Sequence, residues 1–218
     1  MHSSGHYLDL ESWPGRQMFD FFSRYEHPFF NLCAEVDATV SVEACRELGI
    51  APTWMGWYHC QQVVNRVQSF RYRLRQERVW VYDQISIATT VAMPDGSFRF
   101  CYLPYHEDFR EFDAAARTAA TNPLEGTKDS MGNRQQDDAV IHGSVIPWVR
   151  FSSISHAQKM DPSESIPRVV FGRFSQAGDR VKVPVSVEVH HALVDGHSVG
   201  QFFQQLEQEF ADEEALVG

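Results

Sequence analysis

Cysteine is sparse in this chain, and no two cysteines are close together. The 218 residues include four, Cys33, Cys45, Cys60 and Cys101, and none of them forms a CxxC pair. Zinc ribbons and thioredoxin-type sites need that close spacing, and a disulfide scaffold needs a far higher cysteine density. The sequence therefore excludes these three classes, and it predicts a reduced, intracellular protein.

Long apolar runs are also missing. No segment approaches the roughly 20 apolar residues that a membrane helix needs. The first residues, MHSSGHYLDLESW, lack the basic region and the apolar region of a signal peptide. We therefore expect a soluble, cytoplasmic protein that does not contact a membrane.

Cations are in the minority. Lys and Arg together number 19 against 29 Asp and Glu, which makes the formal net charge −10. Neutralising phosphates requires clustered cations, so the charge balance argues against nucleic acid and anionic membranes as partners. The length and the 43% of hydrophobic residues fit an ordinary globular protein, and we expect one domain over residues 1–218.

Apolar spacing predicts a mixture of helices and strands. The predicted helices are 16–25, 40–48, 53–70 (capped by Thr53), 108–120 and 198–211. The predicted strands are 29–36, 71–75, 78–82, 85–93, 98–103, 140–146, 148–153, 168–174 and 180–189, and 122–138 is predicted to be a surface loop or a polar helix. Because strands and helices mix without a βαβ rhythm, we predict an α+β fold. This fold is a two-layer sandwich with a mixed sheet covered by helices on one face.

The sharpest feature is the segment HHALVDG at residues 190–196, which ends a strand and precedes the last helix. Valine alternates with other residues from Val181 to Val189, and side chains of a strand alternate between its two faces. His191 therefore continues the valine side. Burial on that side disfavours a charged imidazole, so the neutral form of His191 is available as a base.

Two other interpretations of this segment stay open at this point. A histidine at the end of a strand is more often a structural residue than a base. His190, His191 and Asp195, with His197 nearby, are also the kinds of side chain that bind zinc in a metal-dependent hydrolase. Because His190 and His191 point to opposite faces of a strand, they cannot bind one ion without distortion, and we expect no metal.

The HHALVDG segment resembles the HHxxxDG signature of the chloramphenicol acetyltransferase family, which dihydrolipoamide acyltransferases and peptide-synthetase condensation domains share in related forms. The resemblance runs from about Leu8 to Glu209. It includes ESWPGRQMFDFF, FFNLCAEVDAT, VWVYDQI, YHEDFREF, GSVIPWVRFSSI and GDRVKVPVSVEVHHALVDGHSVGQF. It is strongest with the stand-alone acetyltransferases, and it implies the CoA-dependent acyltransferase fold.

The resemblance also implies a reaction, the transfer of an acetyl group from acetyl-CoA to a hydroxyl of a chloramphenicol-type acceptor. His191 matches the family's general base, which takes the proton of that hydroxyl. Ser144 matches the serine that donates a hydrogen bond to the tetrahedral oxyanion. Both substrates are held in one ternary complex, so no covalent acyl-enzyme is needed. Acetyl-CoA is a co-substrate, and no metal is implied.

The resemblance assigns further residues around this centre. Phe22 and Phe30 match the acceptor pocket, and Trp148 and Phe174 match positions that line the coenzyme channel. Ordinary packing is the alternative role for all four. His190 matches a structural position. The family is a trimer that takes the base from one subunit and the serine from the next, so the resemblance implies a homotrimer with sites between subunits.

Three departures from the family pattern concern the same site. Asp195 matches the aspartate that holds the catalytic loop through an arginine, but the arginine's position is Gly15 here. Arg16 is adjacent, although one step along a helix changes direction by roughly 100°. The family's water-binding threonine is Val170, and the aromatic residue after Asp-Gly is His197.

The sequence thus predicts an O-acetyltransferase whose acceptor is chloramphenicol or another hydroxylated small molecule. The alternative is a non-catalytic trimeric module that binds a ligand, which the intact pair His191 and Ser144 disfavours. Coenzyme A is a polyanion, so we expect cations to gather at its entrance in spite of the negative net charge.

Overall fold

The computed structural model describes residues 4–121, 138–157, 161 and 163–212, and within them it contains five α-helices and ten strands. The helices are α1 (Arg16–Phe22), α2 (Thr39–Leu48), α3 (Pro52–Arg66), α4 (Phe109–Thr121) and α5 (Gly196–Ala211). The strands are β1 (Gly5–Tyr7), β2 (Phe29–Asp37), β3 (Tyr72–Arg75), β4 (Arg78–Tyr82), β5 (Ser86–Ala92), β6 (Phe98–Leu103), β7 (Val140–Val145), β8 (Arg168–Phe171), β9 (Ser175–Ala177) and β10 (Arg180–His190).

The main sheet has the strand order β2-β10-β8-β7-β5-β6, and β9 pairs with the start of β10. β7 runs parallel to both of its neighbours, β5 and β8, whereas the other strand pairs are antiparallel. A small second sheet has the order β1-β4-β3. The mixed sheet with segregated helices confirms the predicted α+β fold.

Helices cover one face of the main sheet. The valines of β10 from 181 to 189 all belong to the hydrophobic core on this face. Trp57 of α3 packs edge-on against Phe171 of β8, with ring centroids 4.9 Å apart. A Cβ at Gly143 of β7 would lie 2.5 Å from the same indole, so a glycine is required for this close approach. α3 is buried around most of its circumference, from Met55 to Val64.

The opposite face of the sheet is polar, yet it is also buried where β10 and β8 meet. Nδ2 of the Asn31 side chain donates to Ser186 Oγ over 2.8 Å. Arg168 Nη1 donates to Glu188 Oε1 over 2.9 Å, and the two residues are 8% and 5% exposed. Charges that are buried in this way need a partner, and here each has one. This polar face is the one on which Ser144 lies.

Several predicted boundaries are wrong. The first helix ends at Phe22 rather than at residue 25. The predicted helix 53–70 ends at Arg66, because Val67 is extended (ψ 95°) before the 3₁₀ helix Gln68–Arg71. Its N-cap is Ala51 rather than Thr53, and Pro52 lies in the first turn of the helix. Proline is favourable there, because it lacks a backbone N–H and the first N–H groups of a helix have no acceptor within the helix.

The predicted strand 148–153 is not a strand. Pro147 favours a turn, and the amide of Val149 donates to the carbonyl of Ile146 over 3.4 Å. Trp148 and Val149 are exposed, so no buried face supports pairing. Of the polar stretch 122–138, residues 122–137 lie outside the described part of the chain. No helix in the described part is long and apolar enough to cross a membrane.

Candidate active site

The turn that joins β10 to α5 is held by a dense set of backbone hydrogen bonds. The amide of His191 donates to the carbonyl of Pro28 over 2.7 Å. The next three amides, of residues 192–194, all donate to His190. The first is bonded to its ring Nδ1 over 3.2 Å, and the other two to its carbonyl oxygen over 2.9 and 3.0 Å. The backbone that carries His191 is therefore fixed over four consecutive amides.

The imidazole of His191 lies between two phenylalanine rings. Phe22 of α1 stacks on it with ring centroids 4.0 Å apart and an interplanar angle of 15°, and Phe30 of β2 lies 4.5 Å away at 50°. Nδ1 is 3.3 Å from the carbonyl oxygen of Val194. A carbonyl can only accept, so we assign the proton to Nδ1. This tautomer leaves Nε2 with a lone pair that can take a proton.

The expected deep burial of His191 is not found, and His190 is buried in its place. β10 ends at His190, so the alternation of side chains stops there and His191 belongs to the turn, where it is half-buried. His190 is 2% exposed and packs against Phe29 with ring centroids 5.2 Å apart. Desolvation lowers the pKa of His190 to about 4, so its ring is neutral at physiological pH.

Asp195 caps the last helix. Its Oδ1 accepts a hydrogen bond from the amide of Ser198 over 2.7 Å, as an aspartate at an N-cap does. Partial burial alone would raise the pKa of Asp195, but the hydrogen bonds from Ser198 outweigh it and lower the pKa. Arg16, the candidate partner of Asp195, is exposed and instead pairs with Asp20, one turn further along α1, over 2.8 Å.

Ser144 lies on β7 and is half-buried. Its neighbour Gly143 faces Trp57 on the helix-covered side, so Ser144 faces the polar side of the sheet. Directly beside it in the parallel pair with β8 is Val170, which is fully buried. A threonine at this position would place a hydroxyl next to Ser144, and valine places only methyl groups there.

Within one chain, His191 and Ser144 are far apart. Ser144 pairs with Val170, and Val170 pairs with Ser186 on β10. His191 follows five positions beyond Ser186, so the spacing within and between strands puts the two residues roughly 19 Å apart. They also lie on opposite sides of the sheet, because Phe30, which contacts His191, pairs with the core residue Val189. One chain therefore does not bring this base and this hydroxyl together.

The structure adds two aromatic residues to the predicted acceptor side. Phe21 lies 5.0 Å from Phe22 and 5.3 Å from Tyr25 between ring centroids, and both Phe21 and Tyr25 are exposed. Their spacing of four residues on a helical pattern was the sequence signal, and it indicates a shared face. These rings extend the apolar surface around His191 toward solvent.

The predicted coenzyme residues lie on the segments around residues 148 and 174. Trp148 is 74% exposed, whereas Phe174 is half-buried against Phe210 of α5, with ring centroids 6.4 Å apart. The amide of Arg173 donates to the carbonyl of Val149 over 2.9 Å, which joins the two segments. Arg173 is exposed, and its side chain has no ion pair with another described residue. The described residues contain no group of three His, Cys, Asp or Glu side chains arranged to hold a metal.

Solved structures of two acetyltransferases share this fold. A chloramphenicol acetyltransferase matches with a TM-score of 0.87 and 24% identity, over 95% of this chain and 100% of that one. A dihydrolipoamide acetyltransferase of Azotobacter vinelandii matches with a TM-score of 0.64 and 16% identity, over 94% and 89%. Likeness at these identities carries the fold alone. This chain therefore has the fold that these two acetyltransferases share.

Sequence comparison narrows the class to one family. The family model described as chloramphenicol acetyltransferase matches residues 5–207. The chloramphenicol acetyltransferase of Streptomyces acrimycini is 29% identical over 214 residues, and chloramphenicol acetyltransferase 2 of Escherichia coli is 28% identical over 202 residues; each match covers 92–94% of this chain and 94% of the relative. This chain belongs to the chloramphenicol acetyltransferase family, which confirms the resemblance seen in the sequence.

Proposed function

We propose that this protein transfers the acetyl group of acetyl-CoA to a hydroxyl of chloramphenicol or of a closely similar acceptor. Family membership over residues 5–207 supports the reaction class. The observation that carries the proposal is the imidazole of His191, whose Nδ1 faces a carbonyl and whose Nε2 is free to accept a proton. The alternative is a trimeric protein of this family with another acceptor or with a ligand-binding role alone.

The proposed reaction needs one base and one oxyanion donor. Nε2 of His191 takes the proton of the acceptor hydroxyl while the oxygen attacks the thioester carbonyl carbon. The Ser144 hydroxyl donates a hydrogen bond to the resulting oxyanion. When the tetrahedral intermediate collapses, the carbon–sulfur bond breaks and the coenzyme A thiolate takes the proton back from His191. No metal takes part in these steps.

The two groups come from different copies of the chain in this proposal. Within one chain they are roughly 19 Å apart, and they lie on opposite sides of the sheet. A homotrimer with sites between subunits supplies both groups to one substrate. Phe22 and Phe30 form part of the acceptor pocket, and Asp195 and His190 are structural residues at the site. Arg16 stays a structural residue of α1.

Trp148 and Phe174 line the coenzyme channel in this proposal. Arg173, which joins their two segments, supplies a cation for the coenzyme phosphates. Residues 1–218 act as one acetyltransferase domain, since a single hydrophobic cluster extends from Phe19 to Phe210. A cytoplasmic location fits the four free cysteines, because free thiols persist in a reducing compartment.

The reaction is tested by incubating the protein with acetyl-CoA and a panel of hydroxylated compounds that includes chloramphenicol, and by measuring the release of free thiol. We expect turnover with chloramphenicol and O-acetylated product by mass spectrometry. Turnover with a different hydroxylated compound alone would support the alternative acceptor. If none of the compounds in the panel causes release of free thiol, the proposed activity is contradicted.

The shared site is tested by mixing two inactive variants, His191→Ala and Ser144→Ala. If each site takes its base from one subunit and its serine from the next, random mixed trimers at equal ratio regain about one half times one half, or one quarter, of the wild-type activity. A site within one chain would regain none. Each variant assembled alone is the control, and so is a mixture combined without dissociation and reassembly.

A further inference from the structure

The strongest unexplained feature next to the candidate base is the ring of His190. This ring is 2% exposed, and it points away from the face on which His191 contacts Phe30. It therefore does not contact the aromatic rings around His191 on the acceptor side. Its ring nitrogen nonetheless makes a specific contact, since Nδ1 accepts from the amide of Ala192 over 3.2 Å.

We propose that His190 is a positioning residue, which uses its Nδ1 lone pair to fix the turn that holds the imidazole of His191. The proposal rests on the proposed function for its kinetic consequence, but its structural part stands apart from any activity. It assigns a role to the side chain of His190 that a merely buried residue of the same size would not have.

Three backbone amides of the turn converge on His190. Two of the amides after His191 donate to the carbonyl oxygen of His190, which any residue could supply. The amide of Ala192 comes too early in the turn for that oxygen and donates to the side chain instead. Without an acceptor in the side chain, this buried N–H would have no partner, and such an N–H is costly.

A contact within the same turn orients the candidate base. Nδ1 of His191 donates to the carbonyl of Val194, which lies in the same turn. The position of that carbonyl depends on the path of the chain through Ala192 and Leu193. Loss of the bond between Ala192 and His190 therefore displaces the acceptor that holds Nδ1, and the imidazole gains other orientations and the other tautomer. A displacement of about 1 Å at a reacting group can cost about 10²-fold in rate.

The role of His190 as an acceptor also depends on the charge of its ring. The acceptor role requires a neutral ring with its proton on Nε2. The groups around it favour that state, because Phe29 packs against the ring, and Arg168 and Glu188, the buried charges on the same face of the sheet, are paired with each other. Burial lowers the pKa of His190 to about 4, so the acceptor is present through the physiological range.

The experiment compares His190→Leu, which fills the space without an acceptor, with His190→Asn, whose Oδ1 can accept from the amide two residues on. We expect His190→Leu to lower kcat by about 10–10²-fold with KM for acetyl-CoA within about twofold. We expect His190→Asn to retain kcat within about fivefold of the wild type. The matched control is His59→Leu, which removes a second fully buried histidine, in α3, far from the turn. It should lower stability but leave kcat of the folded protein within about twofold of the wild type.

A second measurement does not depend on activity, and its wild-type part does not depend on the folding of a variant. Nitrogen-15 NMR of selectively labelled histidines in the wild type should find the Nε2–H tautomer for His190 and the Nδ1–H tautomer for His191 at pH 7. In His190→Leu, the signal of His191 should move toward a mixture of tautomers, and in His59→Leu it should not.

Three results would overturn the proposal. The first is an Nδ1–H tautomer of His190 in the wild type, because it removes the acceptor. The second is a His190→Leu protein with unchanged kcat and an unchanged His191 tautomer. The third is a His190→Asn protein that loses as much as His190→Leu. If the wild type acetylates nothing, the proposed function fails, while the tautomers still decide whether His190 positions the turn.

Discussion

In the turn after β10, the hydrogen bonds that hold His191 come from the turn itself and from Pro28. β7, which carries Ser144, is held by residues distant in the sequence. Arg75 donates two hydrogen bonds to the carboxylate of Asp138, just before β7, and one of them measures 2.6 Å. Arg73 donates to the carbonyl of Asp138 over 2.8 Å.

These long-range contacts join the small sheet to the main one. Arg73 is fully buried and also donates to the carbonyl oxygens of Phe70, Tyr72 and Val140. Desolvation lowers the pKa of Arg73 to about 10, which still leaves it charged at pH 7. The candidate base is thus positioned by a short motif, whereas the position of the candidate oxyanion donor depends on the whole fold. Substitutions in the two regions can test this difference.

The largest effect is expected at the motif. Replacing His191 by Ala removes the general base and should lower kcat by about 10²–10⁴-fold, because such a base contributes about that much. Thermal stability should change little, since His191 is half-buried in a turn whose backbone bonds remain. Thiol release from acetyl-CoA measures the rate. His6→Ala, in the exposed strand β1, is the control, and a His191→Ala protein as fast as that control would refute the role.

The next effect is expected at β7. Ser144→Ala removes one oxyanion donor and should lower kcat by about 10²–10³-fold. KM for acetyl-CoA should stay near the wild-type value, because the hydrogen bond forms mainly in the transition state. Steady-state kinetics separates the two constants, and Ser97→Ala in the β5–β6 hairpin is the control. A rise in KM without a fall in kcat would assign Ser144 to substrate binding instead.

A third prediction tests the long-range anchor of β7. Burial alone would raise the pKa of Asp138, but its hydrogen bonds from Arg75 and Tyr82 lower it below the ordinary value. The stabilisation is therefore present above the unfolded pKa and is lost as pH falls through the folded pKa. Asp138→Asn should lower the free energy of unfolding by about 2 kcal/mol at pH 7.

Urea unfolding at pH 7 and below pH 4, at one protein concentration, measures this effect. The difference between Asp138→Asn and the wild type should shrink at the lower pH, because the carboxylate of the unfolded wild-type chain then binds a proton that the folded state does not favour. Asp95→Asn, which changes an exposed aspartate of the β5–β6 turn, is the control. A difference that is as large below pH 4 as at pH 7 would contradict the assigned charge.

The smallest effect is expected at the helix cap of the motif. Asp195→Ala removes the acceptor for the amide of Ser198 and should lower the free energy of unfolding by about 1 kcal/mol. Asp195→Asn should change it by less than about 0.5 kcal/mol, because asparagine caps equally well. Unfolding and kcat are measured for both variants. An Asn variant that is as impaired as the Ala variant would mean that the charge of Asp195 matters, through a partner that the cap does not require.

Much of the fold was predictable because its signals are local. The alternating valines of β10 and the periodic apolar residues of α5 predicted both elements to within a few residues. Where a predicted element or boundary was wrong, the conformation of the backbone or a non-local contact determined the observed structure. Pro147 turns the chain before a predicted strand, and the extended Val67 ends α3 four residues early.

The site was predictable in the same uneven way. His191 was named from the pattern of its strand, and Phe22 and Phe30 through the family resemblance, and the three rings do lie together. Ser144 was named only through the family resemblance, because a serine beside a glycine in a strand has no pattern of its own. The pairing of Arg16 with Asp20 instead of Asp195 depends on where α1 begins, which the apolar pattern does not determine.

By itself, the sequence determined the family, the α+β class and the candidate base, since each depends on a contiguous pattern of residues. Only the tertiary structure decided which histidine is buried, because β10 ends at His190 and alternation between faces stops where pairing stops. It also decided that His191 and Ser144 lie on opposite sides of the sheet, since the register of three strands sets their separation. That separation is the physical reason why one chain does not hold both groups of the proposed reaction at one substrate.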